Sequence, residues 1–65
     1  MKLYELHRGD LVRLAEEERR PENENRIYEF HHVDGAYSLC YTTTPERHIV
    51  HFAVWMPVER VEVKS

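Results

Sequence analysis

The chain has 65 residues, one cysteine and a formal net charge of −3, from nine basic and twelve acidic side chains. One cysteine excludes an intramolecular disulfide and suits a reducing compartment, and the charge balance argues against nucleic-acid binding by broad phosphate neutralisation. No apolar run reaches the length of a membrane span or a signal-peptide core. We therefore expect one cytoplasmic domain that contacts no membrane.

The small size of the domain predicts self-association. A chain of this length buries only about 60% of the surface that its unfolded form exposes. Domains of this size are usually stabilised by a disulfide, a metal or a second copy. Since no disulfide can form and no cofactor is indicated, we expect a homo-oligomer.

The first predicted strand lies in "GDLVRLA", which a Gly9-Asp10 turn begins and in which Val12 and Leu14 share one side. The charged segment 16–25 follows, with Pro21 in its middle. A proline ends any helical turn that begins here, so we predict a charged mobile loop between two strands.

Two β-rich runs come next, "RIYEFHHV" and "AYSLCYTT", and only Asp34-Gly35 separates them. Asp-Gly is a preferred pair for a type I′ hairpin turn, in which both residues take positive φ. The turn "TPER" leads into "HIVHFAVW", and Pro57 separates that run from "VERVEV". Three valines of the last segment are available for packing: Val58, Val61 and Val63.

This order of strand, long loop, three-strand meander, turn and strand predicts an all-β fold. We expect a small, strongly bent antiparallel sheet of about five strands. Two architectures stay open: an SH3-like barrel, or an open sheet that a partner subunit completes.

The Asp-Gly turn also predicts the register. With Asp34 and Gly35 as the two loop residues, Phe30 lies opposite Leu39. A four-residue loop from Thr44 to Arg47 then places Leu39 opposite Phe52. The two registers agree in gathering the large side chains on one predicted core face: Tyr28, Phe30, His32, Tyr37, Leu39, Tyr41, Val50, Phe52 and Val54.

The opposite face is predicted to hold Glu29, Cys40 and His51 in one row, which are residue types of a nucleophilic site. No helix N-terminus or glycine-rich turn adjoins Cys40 to form an oxyanion hole, so we expect no enzyme and no catalytic residue. His31 and His32 are neighbours on a strand and should point to opposite faces. We therefore expect no metal site.

Binding fits the hairpin mouth better, because aromatic rings there stand beside side chains that make directional hydrogen bonds. A purely structural role is the alternative, with Tyr37 in the core, Asp34 as a turn former and Trp55 closing a barrel. The predicted ligand- or partner-binding residues are His31, Asp34, Tyr37, Ser38, His51 and Trp55.

The pattern "FHHVDGAYSLC", followed by "HIVHFAVWMPVE", resembles a group of very small accessory proteins encoded by tailed bacteriophages. Their core has the form aromatic–x–His–x–Asp–Gly–x–Tyr–Ser–x–Cys, then Val-His-x-Ala and a Val-Glu ending. The opening "LYELHRGDLVRL" also resembles their N-terminal segment. The resemblance then covers about two-thirds of the chain and leaves out the loop 16–25. The matching positions are Phe30, His32, Asp34, Gly35, Tyr37, Ser38, Cys40, Val50, His51, Ala53, Val58 and Glu59.

The resemblance implies a viral, non-enzymatic binding protein that acts in the host-cell cytoplasm. In this interpretation it inhibits a host antiviral defence by binding a host protein or by sequestering a small nucleotide signal. The alternative is a host-takeover regulator that binds transcription or replication machinery, or nucleic acid, through a small-barrel surface. The resemblance assigns no catalytic residue.

Overall fold

One antiparallel sheet organises the chain, whose computed structural model describes residues 1–43 and 46–62. Its strands are β1 (Leu11–Leu14), β2 (Tyr28–Asp34), β3 (Tyr37–Thr42), β4 (Ile49–Ala53) and β5 (Val58–Arg60). They lie in the order β4-β3-β2-β1-β5. The predicted all-β class is confirmed, and the sheet is open, with β4 and β5 at its two edges.

Helical structure is confined to short turns in the described part of the chain. Two 3₁₀ turns cover Leu3–Glu5 and Glu16–Glu18. No helix of those residues is long and apolar enough to cross a membrane.

Strand β1 follows its sequence pattern. Val12 and Leu14 are buried, and Arg13 between them is exposed, as their alternation predicts. The strand begins after a turn in which Asp10 donates its backbone N–H to the His7 carbonyl at 3.0 Å. Gly9 takes a φ of +93° in this turn, a conformation that L side chains rarely adopt.

The core lies beneath the sheet and is closed by the N-terminal segment. Leu3 is fully buried there, and its backbone N–H donates to the Met56 carbonyl at 3.2 Å. The Val58 N–H donates to the Met1 carbonyl at 2.8 Å, which ties the same segment to β5. The buried cluster comprises Leu3, Leu6, Val12, Leu14, Tyr28, Phe30, Cys40 and Val58, with Val50, Phe52 and Met56 packed against it.

The loop 16–25 joins β1 to β2, and one side chain ties it to the sheet. The Arg19 guanidinium donates to the Leu14 carbonyl at 2.9 Å and, through its second nitrogen, to Glu59 Oε1 at 2.9 Å. This loop is therefore attached at its beginning, next to β1 and the edge strand β5. Its mobility stays a prediction.

The β2–β3 hairpin differs from the predicted one. Asp34 pairs with Tyr37, so the two loop residues are Gly35 and Ala36. Gly35 has a φ of +66°, and no described non-glycine residue has a positive φ. A type I′ turn needs positive φ at both central positions, whereas glycine first and a negative φ second is the pattern of a type II′ turn. The predicted Asp34-Gly35 turn is thus wrong by one residue.

The β3–β4 register is also shifted by one. Phe52 lies opposite Ser38 rather than Leu39, and the Thr42 N–H donates to the His48 carbonyl at 2.9 Å. The connection between β3 and β4 is therefore longer than the four residues predicted, Thr44 to Arg47. Positions 44 and 45 lie outside the described residues, and so does Val63, one of the three valines predicted to be available for packing.

Because both hairpins shift, β3 alone is turned over. Ser38 and Cys40 are fully buried, whereas Tyr37 is 58% exposed. A slip of one residue moves every side chain of a strand to the other face. The prediction that Tyr37, Leu39 and Tyr41 lie in the core is wrong, while Tyr28, Phe30, Val50 and Phe52 keep the core side that the pattern predicts.

A β-bulge keeps β2 in place opposite the turned strand. Phe30 pairs with Cys40, but the next pair joins His32 to Leu39, so His31 and His32 together oppose one residue of β3. The extra residue moves His32 to the side away from the core, where Leu39 also lies. The prediction of a core position for His32 is wrong for this reason.

Candidate functional site

The candidate site is the side of β2, β3 and β4 that lies away from the core, which we call the outer face. The pairing register places most of its members in three rows across these strands. The rows are Glu29–Tyr41–Ile49, His32–Leu39–His51 and Asp34–Tyr37–Ala53, and His31 stands beside the second row at the bulge.

Strand β3 can bury its small polar side chains because each finds a hydrogen-bond partner. The Ser38 hydroxyl donates to the Phe52 carbonyl at 3.0 Å. The Thr42 hydroxyl donates to the Glu46 carbonyl at 2.6 Å and accepts the His48 N–H at 2.8 Å. No buried side-chain nitrogen or oxygen in the described residues lacks a partner. Because these hydroxyls are hydrogen-bonded, burying them costs little free energy. Strand β3 can therefore turn its small side chains to the core and its larger ones to the outer face.

The middle of the outer face is apolar and partly exposed. Tyr37 and Ile49 are each 58% exposed, and Leu39, Tyr41 and Ala53 between them are half-buried. Contiguous apolar patches on a protein surface often mark interaction sites. Tyrosine suits such a surface because its ring contributes apolar area and its hydroxyl makes a directional hydrogen bond.

One end of the outer face is organised by Arg47. Its guanidinium carbon lies 4.2 Å from the centre of the Tyr41 ring, which is cation–π geometry. The same side chain forms an ion pair with Glu29, with 2.9 Å between Nη1 and Oε1. The charges at this end are therefore paired.

The bulge brings two imidazole rings together. The Nδ1 atoms of His31 and His32 are 2.5 Å apart, and the ring centres are 4.8 Å apart at an interplanar angle of 72°. The His31 ring also meets the Tyr41 ring edge-on, with centres 5.8 Å apart. Desolvation lowers the pKa of His31 below its ordinary value, and the positive charge of Arg8 lowers it further. His31 accordingly loses its proton more readily than an ordinary histidine.

Five of the six predicted binding residues are accessible. His31, Asp34, Tyr37 and His51 lie on the outer face, and Trp55 is 61% exposed in the turn after β4. That turn is closed by the Met56 N–H, which donates to the Ala53 carbonyl at 3.0 Å.

Ser38 is the exception among the predicted binding residues. Its side chain is fully buried on the core side, with its hydroxyl held by Phe52, so its predicted outward position is wrong. A partner bound at the outer face would contact Tyr37 and Leu39, the neighbours of Ser38 in β3, and not the Ser38 hydroxyl.

The predicted row of Glu29, Cys40 and His51 is not formed. Cys40 is buried on the core side, whereas Glu29 and His51 lie on the outer face. Burial raises the pKa of the Cys40 thiol, although the Ser38 hydroxyl 3.6 Å away partly opposes that effect. In the described residues, no group of three or more histidine, cysteine, aspartate or glutamate side chains is arranged to hold a metal ion.

A cavity of about 260 Å³ lies away from the outer face, in the loop 16–25. Its lining is mostly charged, and one lining residue, Arg19, is already bonded to Leu14 and Glu59. The residues around it are Glu16, Arg19, Arg20, Pro21 and Glu24.

Sequence reasoning missed Leu39, Tyr41 and His32 as members of the outer face. The available signals were the Gly-Ala pair, which fits a type II′ turn, and the small size of Ser38 and Cys40.

Comparison of the chain with protein-family models, curated proteins and solved structures finds no match.

Proposed function

We propose that this chain is a non-enzymatic binding protein and that the outer face is its partner-binding surface. The orientation of β3 carries this proposal. The strand turns Tyr37, Leu39 and Tyr41 away from the core, beside the exposed Ile49 of β4. Burying such side chains against a partner stabilises a complex by about 25 cal/mol per Å² of apolar area, before the costs of association.

The shape of the outer face favours a protein over a small nucleotide. Small-molecule sites are concave and enclose most of their ligand, whereas the outer face is the surface of a sheet. Its apolar centre lies between the polar His51 and Asp34 and the paired charges of Glu29 and Arg47. An apolar centre with a polar rim is the ordinary arrangement of a protein–protein interface.

The resemblance to accessory proteins of tailed bacteriophages supports a proposal for the kind of partner and its role in the host cell. We infer that the partner is a protein of a host antiviral defence in the host cytoplasm, and that the outer face inhibits it by covering one of its surfaces. Nucleic acid is a less suitable partner, because the Arg47 guanidinium beside Tyr41 is neutralised by Glu29.

The test is a plating assay in bacterial strains that each carry one antiphage defence system. A phage that the system restricts should plate efficiently when the chain is expressed. Leu39→Asp should abolish this rescue, because it puts a charge at the centre of the apolar surface. Arg20→Asp is the matched control, since it places the same side chain on the exposed loop 16–25.

Circular dichroism should show that both variants are folded. Rescue that survives in a folded Leu39→Asp variant would contradict the binding surface, and absence of rescue across the panel would reject the anti-defence role. Light scattering at micromolar concentration tests separately the homo-oligomer predicted from the small size of the domain, and a monomeric mass would contradict that prediction.

A further inference from the structure

The His31–His32 pair has a geometry that adjacent strand residues do not normally have. Successive side chains of a regular strand point to opposite faces, which separates two neighbouring imidazoles. Here the bulge opposes both residues to Leu39 alone and brings their Nδ1 atoms within 2.5 Å of each other. The pair is therefore a product of the backbone irregularity.

Two imidazole nitrogens at this distance require either a hydrogen atom or a metal ion between them. If both nitrogens are unprotonated, their lone pairs repel. A proton on one ring satisfies the contact, because that ring then donates an N–H···N hydrogen bond. A metal ion satisfies it as well, since the unprotonated imidazole nitrogen is a common ligand of divalent transition metals.

We propose that the His31–His32 pair is a two-nitrogen binding site for a divalent transition-metal ion such as Zn²⁺, Ni²⁺ or Cu²⁺. Zinc–nitrogen bonds of about 2.0–2.1 Å at a tetrahedral angle place two ligand nitrogens about 3.3 Å apart. The observed separation is 2.5 Å. A rotation of the half-buried rings that opens the gap by about 0.8 Å would admit the ion.

The backbone around the pair is held from the opposite side of β2. The Phe30 carbonyl accepts the Gly9 N–H at 2.9 Å, and the Phe30 N–H donates to the Asp10 carbonyl at 2.9 Å. The Arg8 guanidinium donates to the His31 carbonyl at 3.4 Å. These bonds fix the backbone of the bulge, so the two rings are already neighbours before an ion arrives, and only their rotation remains.

The site is open. The described residues supply no third ligand, so water or a donor atom of another molecule fills the remaining coordination positions. The positive charge of Arg8 near His31 opposes a cation, which makes this a weaker site than a structural zinc centre. Its location on the outer face would let the ion join the chain to a bound partner, but binding of the ion itself does not depend on the proposed function.

Isothermal titration calorimetry of the full chain with NiCl₂ at pH 7.5 tests the site. We expect one Ni²⁺ per chain, and an affinity at least about tenfold lower in His31→Ala and in His32→Ala. His48→Ala is the matched control, because His48 is an exposed histidine before β4 that pairs with Glu46 and lies outside the outer face. Its affinity should equal that of the wild type.

Nickel broadening of imidazole NMR signals gives a readout that needs no variant. Signals of His31 and His32 should broaden before those of His48 and His51. Absence of binding by the wild-type chain would overturn the site and leave the pair as a proton-sharing contact. Unchanged affinity in folded His31→Ala, or equal broadening of all histidines, would overturn it too.

Discussion

The β1–β5 half of the sheet and the β2–β3–β4 meander obey their sequence patterns to different degrees. In β1, the apolar Val12 and Leu14 are buried and Arg13 is exposed, as simple alternation requires. In β3, the small Ser38 and Cys40 are buried and the larger Tyr37 and Leu39 face outward. The comparison shows that a strand buries the face that fits the space below it, even when the other face is more apolar.

The space beneath β3 is limited because other segments already fill the core. Leu3 and Leu6 of the N-terminal segment, with Phe30 of β2, are all buried there. Protein interiors are close-packed, so large tyrosine rings from β3 would compete with these side chains for the same volume. Small side chains with satisfied hydroxyls fit instead.

The largest expected effect separates core leucines from outer-face leucines. Leu3→Ala should cost about 2–5 kcal/mol, a large part of the roughly 3–10 kcal/mol expected for a domain of this size. Leu39→Ala should cost only about 1 kcal/mol, because its side chain is half-exposed. Urea unfolding followed by circular dichroism measures both, and equal losses would show that Leu39 lies in the core.

The second test uses the position of Cys40 on the turned strand. A fully buried thiol with a raised pKa is protonated and inaccessible, so a disulfide reagent at pH 8 should react only when the chain opens. We expect native protein to react at least about a hundredfold more slowly than protein in concentrated urea. Rapid, complete modification of the folded chain would place Cys40 on the outer face.

The smallest effect concerns the hairpin turn that sets the register. Gly35→Ala should cost about 1–2 kcal/mol, because alanine is disfavoured at the φ of +66° that Gly35 adopts. Asp34→Ala should cost little, since Asp34 has a negative φ and pairs in the strand. A type I′ turn at Asp34-Gly35 predicts instead that both substitutions destabilise, and thermal unfolding of the two variants distinguishes the turns.

Much of the fold follows from local sequence patterns. Five extended runs bounded by glycine, proline and charged segments predicted the strands. Apolar alternation predicted the buried sides of β1 and β4, and that of β2 as far as its bulge. The candidate site was predicted less well. The pattern correctly placed His31 and His51 on the outer face, but it also put Ser38 there and kept Tyr37 in the core.

The sequence by itself determined that this chain is a β-sheet protein with a tight turn at Gly35, because residue preferences and period-two patterning act locally. Tertiary structure decided which side of β3 faces the core and where the bulge lies. Aspartate and alanine flank Gly35, so the sequence admits two turns that differ by one residue. The choice between them depends on how the N-terminal segment and β5 fill the core, and long-range packing of that kind is not visible in any local pattern.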